Sequence, residues 1–260
     1  MLCVSKILDG GCTSSTSLQG RVAIITGAAS EDWFGKSRIN GERLADTVKA
    51  FQSRGGDLIH CCLDVALALA QSSSEMVEQT LTASDQLDMA HLNAGILVNK
   101  PILESSLETW QRVIDVSLNG MFLGIRSCAP HIVTHVKGSI VVTASVSGIL
   151  SNKSMPFYTT SKHGVVGLLK AASAELGASG IRINAVCPSP TYTGMMMEGG
   201  ASIDQINQCE IAKMTVLGRV GKARKIGDMV CFLGSDAASY MTGGVHPIDG
   251  GMTAVGRKPI

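Results

Sequence analysis

Short apolar runs alternate along the chain with longer segments whose apolar positions recur at helical spacing. Val22–Thr26 reads as a buried strand that stops at Gly27, and Leu58–Cys62 as a second that runs into Asp64 and Val65. Leu87–His91 leads into Asn93, Ala94 and Gly95, while Gly138–Thr143, Ile181–Val186 and Gly244–Ile248 complete the set. Most of these runs are continuously apolar, which predicts a sheet covered on both faces. Helical spacing is found over Gly41–Arg54, where Gly55 and Gly56 follow as a stop, over Leu107–Cys128, and over Pro156–Leu176. The alternation predicts an α/β fold, a doubly wound parallel sheet with right-handed crossovers. Ligands of such sheets bind beyond the carboxyl ends of the strands. Gly27, Asp64–Val65, Asn93–Gly95, Ser145 and Pro188 all lie at predicted strand ends, so they should meet on one rim. Without internal repeats or linkers, residues 18–260 are expected to form one domain and the Ser/Thr-rich residues 1–17 a disordered tail.

Composition narrows the function classes. The chain has 260 residues, 45% of them hydrophobic, enough for a sizeable core. With 22 basic and 21 acidic residues, the charge gives no reason to expect nucleic acid or an anionic membrane as partner. No apolar run approaches the ~20 residues of a membrane span. The eight cysteines form no C-x-x-C pair and the six histidines no ligand spacing, so no metal site is expected. Cys61 and Cys62 are adjacent and poorly placed to bridge each other. The thiols read as reduced, and the protein as cytoplasmic.

Tyr158 and Lys162 stand at i and i+4 on a predicted helix and so share a face. A phenol with a pKa of ~10 is a poor base near neutrality. An adjacent ammonium stabilises the phenolate, which predicts a lowered pKa suited to acid–base work on a substrate hydroxyl. Ser145, at a predicted strand end upstream, could hold the substrate oxygen; a turn or helix cap is its bland alternative.

Thr26-Gly27, Asn93-Ala94-Gly95, Ser145, Tyr158-Thr-Thr-Ser-Lys162, Pro188 and Asp249-Gly250-Gly251, in this order, resemble the landmarks of the short-chain dehydrogenase/reductase family. The resemblance spans residues 18 to 255. It implies a Rossmann-type sheet, NAD or NADP as cofactor, a small alcohol or ketone substrate, and a homotetramer or homodimer. It implies Tyr158 as proton donor or acceptor, and Lys162 as the group that lowers its pKa and holds the nicotinamide ribose. Ser145 would orient the substrate oxygen. Gly27, Asn93, Ala94 and Gly95 would line the cofactor, Asp64 and Val65 would meet adenine, and Pro188, Thr191 and Thr193 would lie by the nicotinamide amide.

The chain departs from that family in three places. Glu31 and Trp33 stand where the second and third glycines of the first turn belong. Those glycines ordinarily let backbone approach the pyrophosphate and helix pack on strand. The stretch before Asn40 is also too short for the usual first helix and second strand. A vacant slot would leave backbone groups unpaired. Leu58–Cys62 is therefore expected to close up beside Val22–Thr26 in a six-stranded sheet, with Gly41–Arg54 as crossover. Second, Ser117 replaces an asparagine that supports a water relay from the lysine; its hydroxyl is expected to bind a water instead. Third, Ser189 follows Pro188 where glycine is usual. Arg38 falls near the place where cofactor choice is set, and the choice between NAD and NADP stays open.

Two other readings compete. The altered first turn fits an impaired isoform or paralogue that keeps the fold and binds dinucleotide poorly. Ser30–Ser37 nearly matches a P-loop but lacks its first glycine, and no G-x-S-x-G elbow supports a serine hydrolase. Met195–Met197, after Thr193, suits an adaptable apolar pocket and hence a lipophilic substrate.

Overall fold

A computed structural model of the protein describes residues 2–6, 18, 20–27, 57–61, 69–132, 138–151, 153–193 and 202–255. The strands of its main sheet are β1 (Leu2–Lys6), β2 (Val22–Thr26), β3 (Asp57–Cys61), β4 (Met89–Leu92), β5 (Gly138–Thr143) and β6 (Ile181–Pro188). A two-residue ladder joins β7 (Thr191–Tyr192) to β8 (Gly221–Lys222), and β9 (Val245–Ile248) completes the main sheet. The longer helices are α1 (Leu69–Ser84), α2 (Leu107–Ile114), α3 (Gly120–Ile132), α4 (Pro156–Leu176) and α5 (Ala223–Gly234).

The main sheet has seven strands in the order β3-β1-β2-β4-β5-β6-β9. From β2 to β9 every neighbouring pair is parallel. Helices flank both faces, as the continuous apolar runs require. Met76 and Val77 of α1, Met121 and Ile125 of α3, and Val165 and Leu169 of α4 pack on Ile24, Leu92, Ile140 and Ile183. Val230 and Leu233 of α5 pack on Ala23, Met89, Val141 and Val186 from the other side. The expected doubly wound α/β sheet is present. Among the described residues no helix is long and apolar enough to cross a membrane.

The left edge of the sheet corrects the expected strand count and order. Among the described residues the main sheet has seven strands, not six, and β3 does not close up beside β2. β1 lies between them, antiparallel to both, with Leu2 opposite Thr26 and Cys61, and Lys6 opposite Val22 and Asp57. Residues 2–6 of the expected tail are thus a strand. The slot beside β2 had to be filled by hydrogen-bonding backbone, and the chain fills it from its N-terminal side. The proposed crossover helix Gly41–Arg54 and the altered turn with Glu31 and Trp33 lie outside the described residues.

The helix expected over Leu107–Cys128 is two helices. Ser106 caps the first by accepting the Thr109 N–H at 3.2 Å. Between them Asp115–Asn119 widens into a π turn with Ser117 at its centre, and α3 runs on to Ile132. In α4, Pro156 stands in the first turn, where its missing N–H removes no helical bond.

Candidate active site

β5 and α4 together bring a cluster of polar side chains to the carboxyl rim. Ser145 leaves β5 in an extended conformation, and its hydroxyl accepts the Ser147 N–H at 3.0 Å, capping the single turn Val146–Gly148. The cap alternative is therefore realised, but the same side chain also hydrogen-bonds to Tyr158. Tyr158 and Lys162 share one face of α4, with the lysine Nζ 5.6 Å from the centre of the phenol ring. Lys162 is buried, and its Nζ donates to the Thr143 carbonyl at 2.7 Å. Three of the four predicted catalytic side chains, Ser145, Tyr158 and Lys162, thus meet.

Their electrostatics correct one expectation. Tyr158 titrates above the ordinary value for a phenol, because burial outweighs the Ser145 hydrogen bond that pulls the other way. The Lys162 Nζ, 5.6 Å from the ring centre, does not offset that burial. The ammonium itself is drawn down to about 8 by burial. Cys187, at the end of β6, lies close enough to feel Lys162; burial pushes its thiol up to about 11, against a backbone hydrogen bond from Ser145. The thiol is therefore protonated and unreactive near neutrality.

Ser117 is fully buried, and its hydroxyl bonds to both backbone groups of Ile96, accepting from N at 3.0 Å and donating to O at 3.3 Å. It ties the π turn to the loop after β4; its hydroxyl hydrogen is taken by Ile96, and one oxygen lone pair is left for a water.

The predicted cofactor residues divide into those brought together and those not described. The Thr26 hydroxyl accepts the backbone N–H groups of Asn93 at 2.8 Å and Ala94 at 3.0 Å. Gly27 turns away from β2 at φ +72°, and a Cβ there would meet Ala94 Cα at 3.0 Å, so glycine is required. Gly27, Asn93, Ala94 and buried Gly95 therefore form one patch of rim. Pro188 closes β6, Thr191 Oγ1 donates to the Ser189 carbonyl at 2.8 Å, and Thr193 Oγ1 to the Thr191 carbonyl at 3.3 Å. Asp64, Val65, Arg38 and Met195–Met197 lie outside the described residues, as does the near P-loop Ser30–Ser37. Among the described residues no cluster of His, Cys, Asp or Glu could hold a metal ion.

Sequence reasoning missed three contributors. Thr143 supplies the carbonyl that anchors Lys162. His91 reaches the Thr143 hydroxyl at 2.9 Å, and burial draws its ring down to about 4, so it is neutral near pH 7. Gly148 lies so close to α4 that a Cβ would stand 2.6 Å from the Lys162 carbonyl oxygen. Only the glycine, three residues after Ser145 in sequence, offered a signal.

The lysine also tests the site for a dinucleotide. An ammonium has three N–H donors. One goes to Thr143, and among the described residues no carboxylate pairs with Lys162. A buried cation with donors remaining, on the rim of a doubly wound sheet, fits the vicinal hydroxyls of a ribose.

Comparison with known proteins places the chain among dehydrogenases and reductases. A family model described as enoyl-(acyl carrier protein) reductase matches residues 37–253. A cyclohexanol dehydrogenase from Acinetobacter sp. is 34% identical over 257 residues, covering 92% of this chain and 98% of its own. A cis-4-hydroxycyclohexanecarboxylate dehydrogenase from Sinomonas cyclohexanicum is 31% identical over 256 residues, with 90% and 97% covered. Among solved structures, carveol dehydrogenase from Mycobacterium avium in complex with NAD superposes with a TM-score of 0.80 at 27% identity, covering 88% of this chain and 87% of that one.

Proposed function

Since the chain belongs to the short-chain dehydrogenase/reductase family and is an NAD(P)-dependent oxidoreductase acting on CH–OH groups, we propose that Ser145, Tyr158 and Lys162 interconvert a small, lipophilic secondary alcohol and its ketone. The observation that carries this reading is the meeting of those three side chains at the carboxyl end of β5 and the amino end of α4. When bound, a nicotinamide dinucleotide gives or takes the hydride at the substrate carbon. In reduction the Tyr158 hydroxyl gives its proton to the substrate oxygen. In oxidation the Tyr158 oxygen receives that proton. Ser145, already bonded to Tyr158, offers its hydroxyl to the same substrate oxygen and so fixes the distance of transfer. Lys162 holds the ribose and, as a nearby cation, stabilises the phenolate once it forms. Gly27, Asn93, Ala94 and Gly95 line the rest of the dinucleotide, with Asp64 and Val65 toward adenine and Pro188, Thr191 and Thr193 by the amide. Residues 18–260 act as one unit, and copies of the chain assemble as a homodimer or homotetramer.

An apolar substrate suits the segment before Gly250. Val216 and Leu217 are 60% and 61% exposed, and the Leu217 N–H donates to the Gly250 carbonyl at 3.1 Å. These side chains offer an oily cover for a ring alcohol. The two ring-alcohol dehydrogenases named above support the same class.

A panel of cyclic and acyclic secondary alcohols, assayed with NAD and NADP, tests the proposal. Turnover should favour the cyclic ones, and Tyr158→Phe should lower kcat at least ~100-fold while leaving dinucleotide binding in place. A Tyr158→Phe enzyme as fast as wild type would refute the assignment. Glu31 and Trp33 support a second reading, an impaired chain that keeps the fold. Fluorescence titration with NADH and NADPH decides it: saturable binding of either coenzyme removes that reading.

A further inference from the structure

β1 is antiparallel in a sheet whose other neighbouring strands are parallel. All five of its residues are in register with β2 on one side and with β3 on the other. Among the described residues β3 has no other strand partner in the sheet. Without β1, the facing backbone groups of β2 and β3 would be unpaired and the strands would stand about 9.5 Å apart, two strand spacings. The sheet cannot keep this shape with the slot empty.

The direction of β1 brings its Leu2 end to the carboxyl rim. Leu2 is opposite Thr26, whose hydroxyl holds the Asn93 and Ala94 N–H groups and whose successor is the Gly27 turn. Leu2 is also opposite Cys61, shortly before Asp64 and Val65 in sequence. One strand end therefore adjoins the Thr26–Gly27 rim, where the phosphate-binding turn of such a sheet lies, and ties it to the end of β3. Resting on the dinucleotide reading above, we propose that β1 is a conditional part of the cofactor site: its seating between β2 and β3 and dinucleotide binding are coupled, each strengthening the other.

The native cysteine at position 3 provides the test. Cys3 is the register partner of Ile25. Directly opposed residues of an antiparallel pair share a face, with Cα atoms about 4.5 or 5.5 Å apart, within disulfide range. In full-length Ile25→Cys, mild oxidation should link Cys3 to the introduced thiol at position 25 within one chain, found by peptide mass mapping. NADH or NADPH should speed formation of this link, and the linked protein should bind coenzyme at least as tightly as its reduced form. Val4→Pro removes a ladder donor from β1 and should weaken coenzyme binding about tenfold, a coupling of ordinary size. If Val4→Pro fails to fold, oxidised and reduced Ile25→Cys still give the comparison within one protein.

Three outcomes overturn the coupling: a link formed between two chains, coenzyme binding abolished by the link, or folded Val4→Pro binding coenzyme like wild type. A wild type that binds neither NADH nor NADPH sinks the dinucleotide reading itself, and the coupling with it.

Discussion

Replacing Lys162 with methionine should stabilise the fold while disabling the site. In an unfolded chain the lysine titrates at 10.5, but in the folded protein burial draws it down to about 8. A difference of one pKa unit between two states corresponds to about 1.4 kcal/mol. Below pH 8 both states carry the proton, and the fold bears the full desolvation cost, about 3 kcal/mol at pH 7. Between pH 8 and 10.5 the folded lysine has lost its proton while the unfolded one keeps it. The unfolded state then binds more protons, so stability rises with pH through that window. Methionine has similar length and no charge to desolvate, but it gives up the bond to the Thr143 carbonyl, about 1 kcal/mol. The net gain is about 2 kcal/mol at pH 7, or about 5 °C in Tm for a chain of this size. At pH 9.5 the charge contribution should be smaller by about 2 kcal/mol, leaving the two proteins nearly equal. Urea unfolding of both proteins at the two pH values measures this. A variant no more stable than wild type at pH 7, or a difference that ignores pH, would refute the reasoning.

The raised pKa of Tyr158 keeps its proton in place at neutrality. Initial rates of ketone reduction should therefore stay level between pH 6 and 7.5, and alcohol oxidation should climb toward alkaline pH; an oxidation optimum below pH 7 would contradict this. Gly148→Ala puts a methyl group against the Lys162 carbonyl, so α4 must shift. kcat should fall at least ~10-fold, since small misplacements of catalytic groups are costly, and Tm should drop; an unchanged kcat would show that the turn can yield. Ser117→Ala leaves the Ile96 N–H and carbonyl without their partner and should cost about 1–3 kcal/mol in chemical unfolding. No loss of stability would mean that Ser117 is not the clamp described.

Tyr158, Lys162 and Ser145 were legible because local rules place them. Spacing i to i+4 sets a shared helix face, and the end of an apolar run marks a strand end. The direction of the phenol's pKa was not legible, because it depends on burial, which the i to i+4 spacing does not reveal. The π turn was also hidden: Asp115–Asn119 keeps helical periodicity, and only packing of Ser117 against Ile96 reveals the widened turn. β1 escaped notice for a third reason. Leu2–Lys6 is a short run, and its partners Val22–Thr26 and Asp57–Cys61 are distant in sequence. Nothing local distinguishes such a run from a tail. The requirement that the slot be filled was legible from backbone hydrogen bonding; the segment that fills it was not.

The anchor of Lys162 is a main-chain atom, and this changes which genetic lesions the site survives. Any residue compatible with an extended β5 at position 143 supplies the same carbonyl, so point substitution there leaves the lysine its partner. Inserting or deleting one residue within Gly138–Thr143 is another matter. It would shift the pairing of β5 with β4 and β6 and carry the oxygen away from Nζ by a whole residue rise, about 3.3 Å. At this point the enzyme tolerates spelling errors and is vulnerable to changes of reading length.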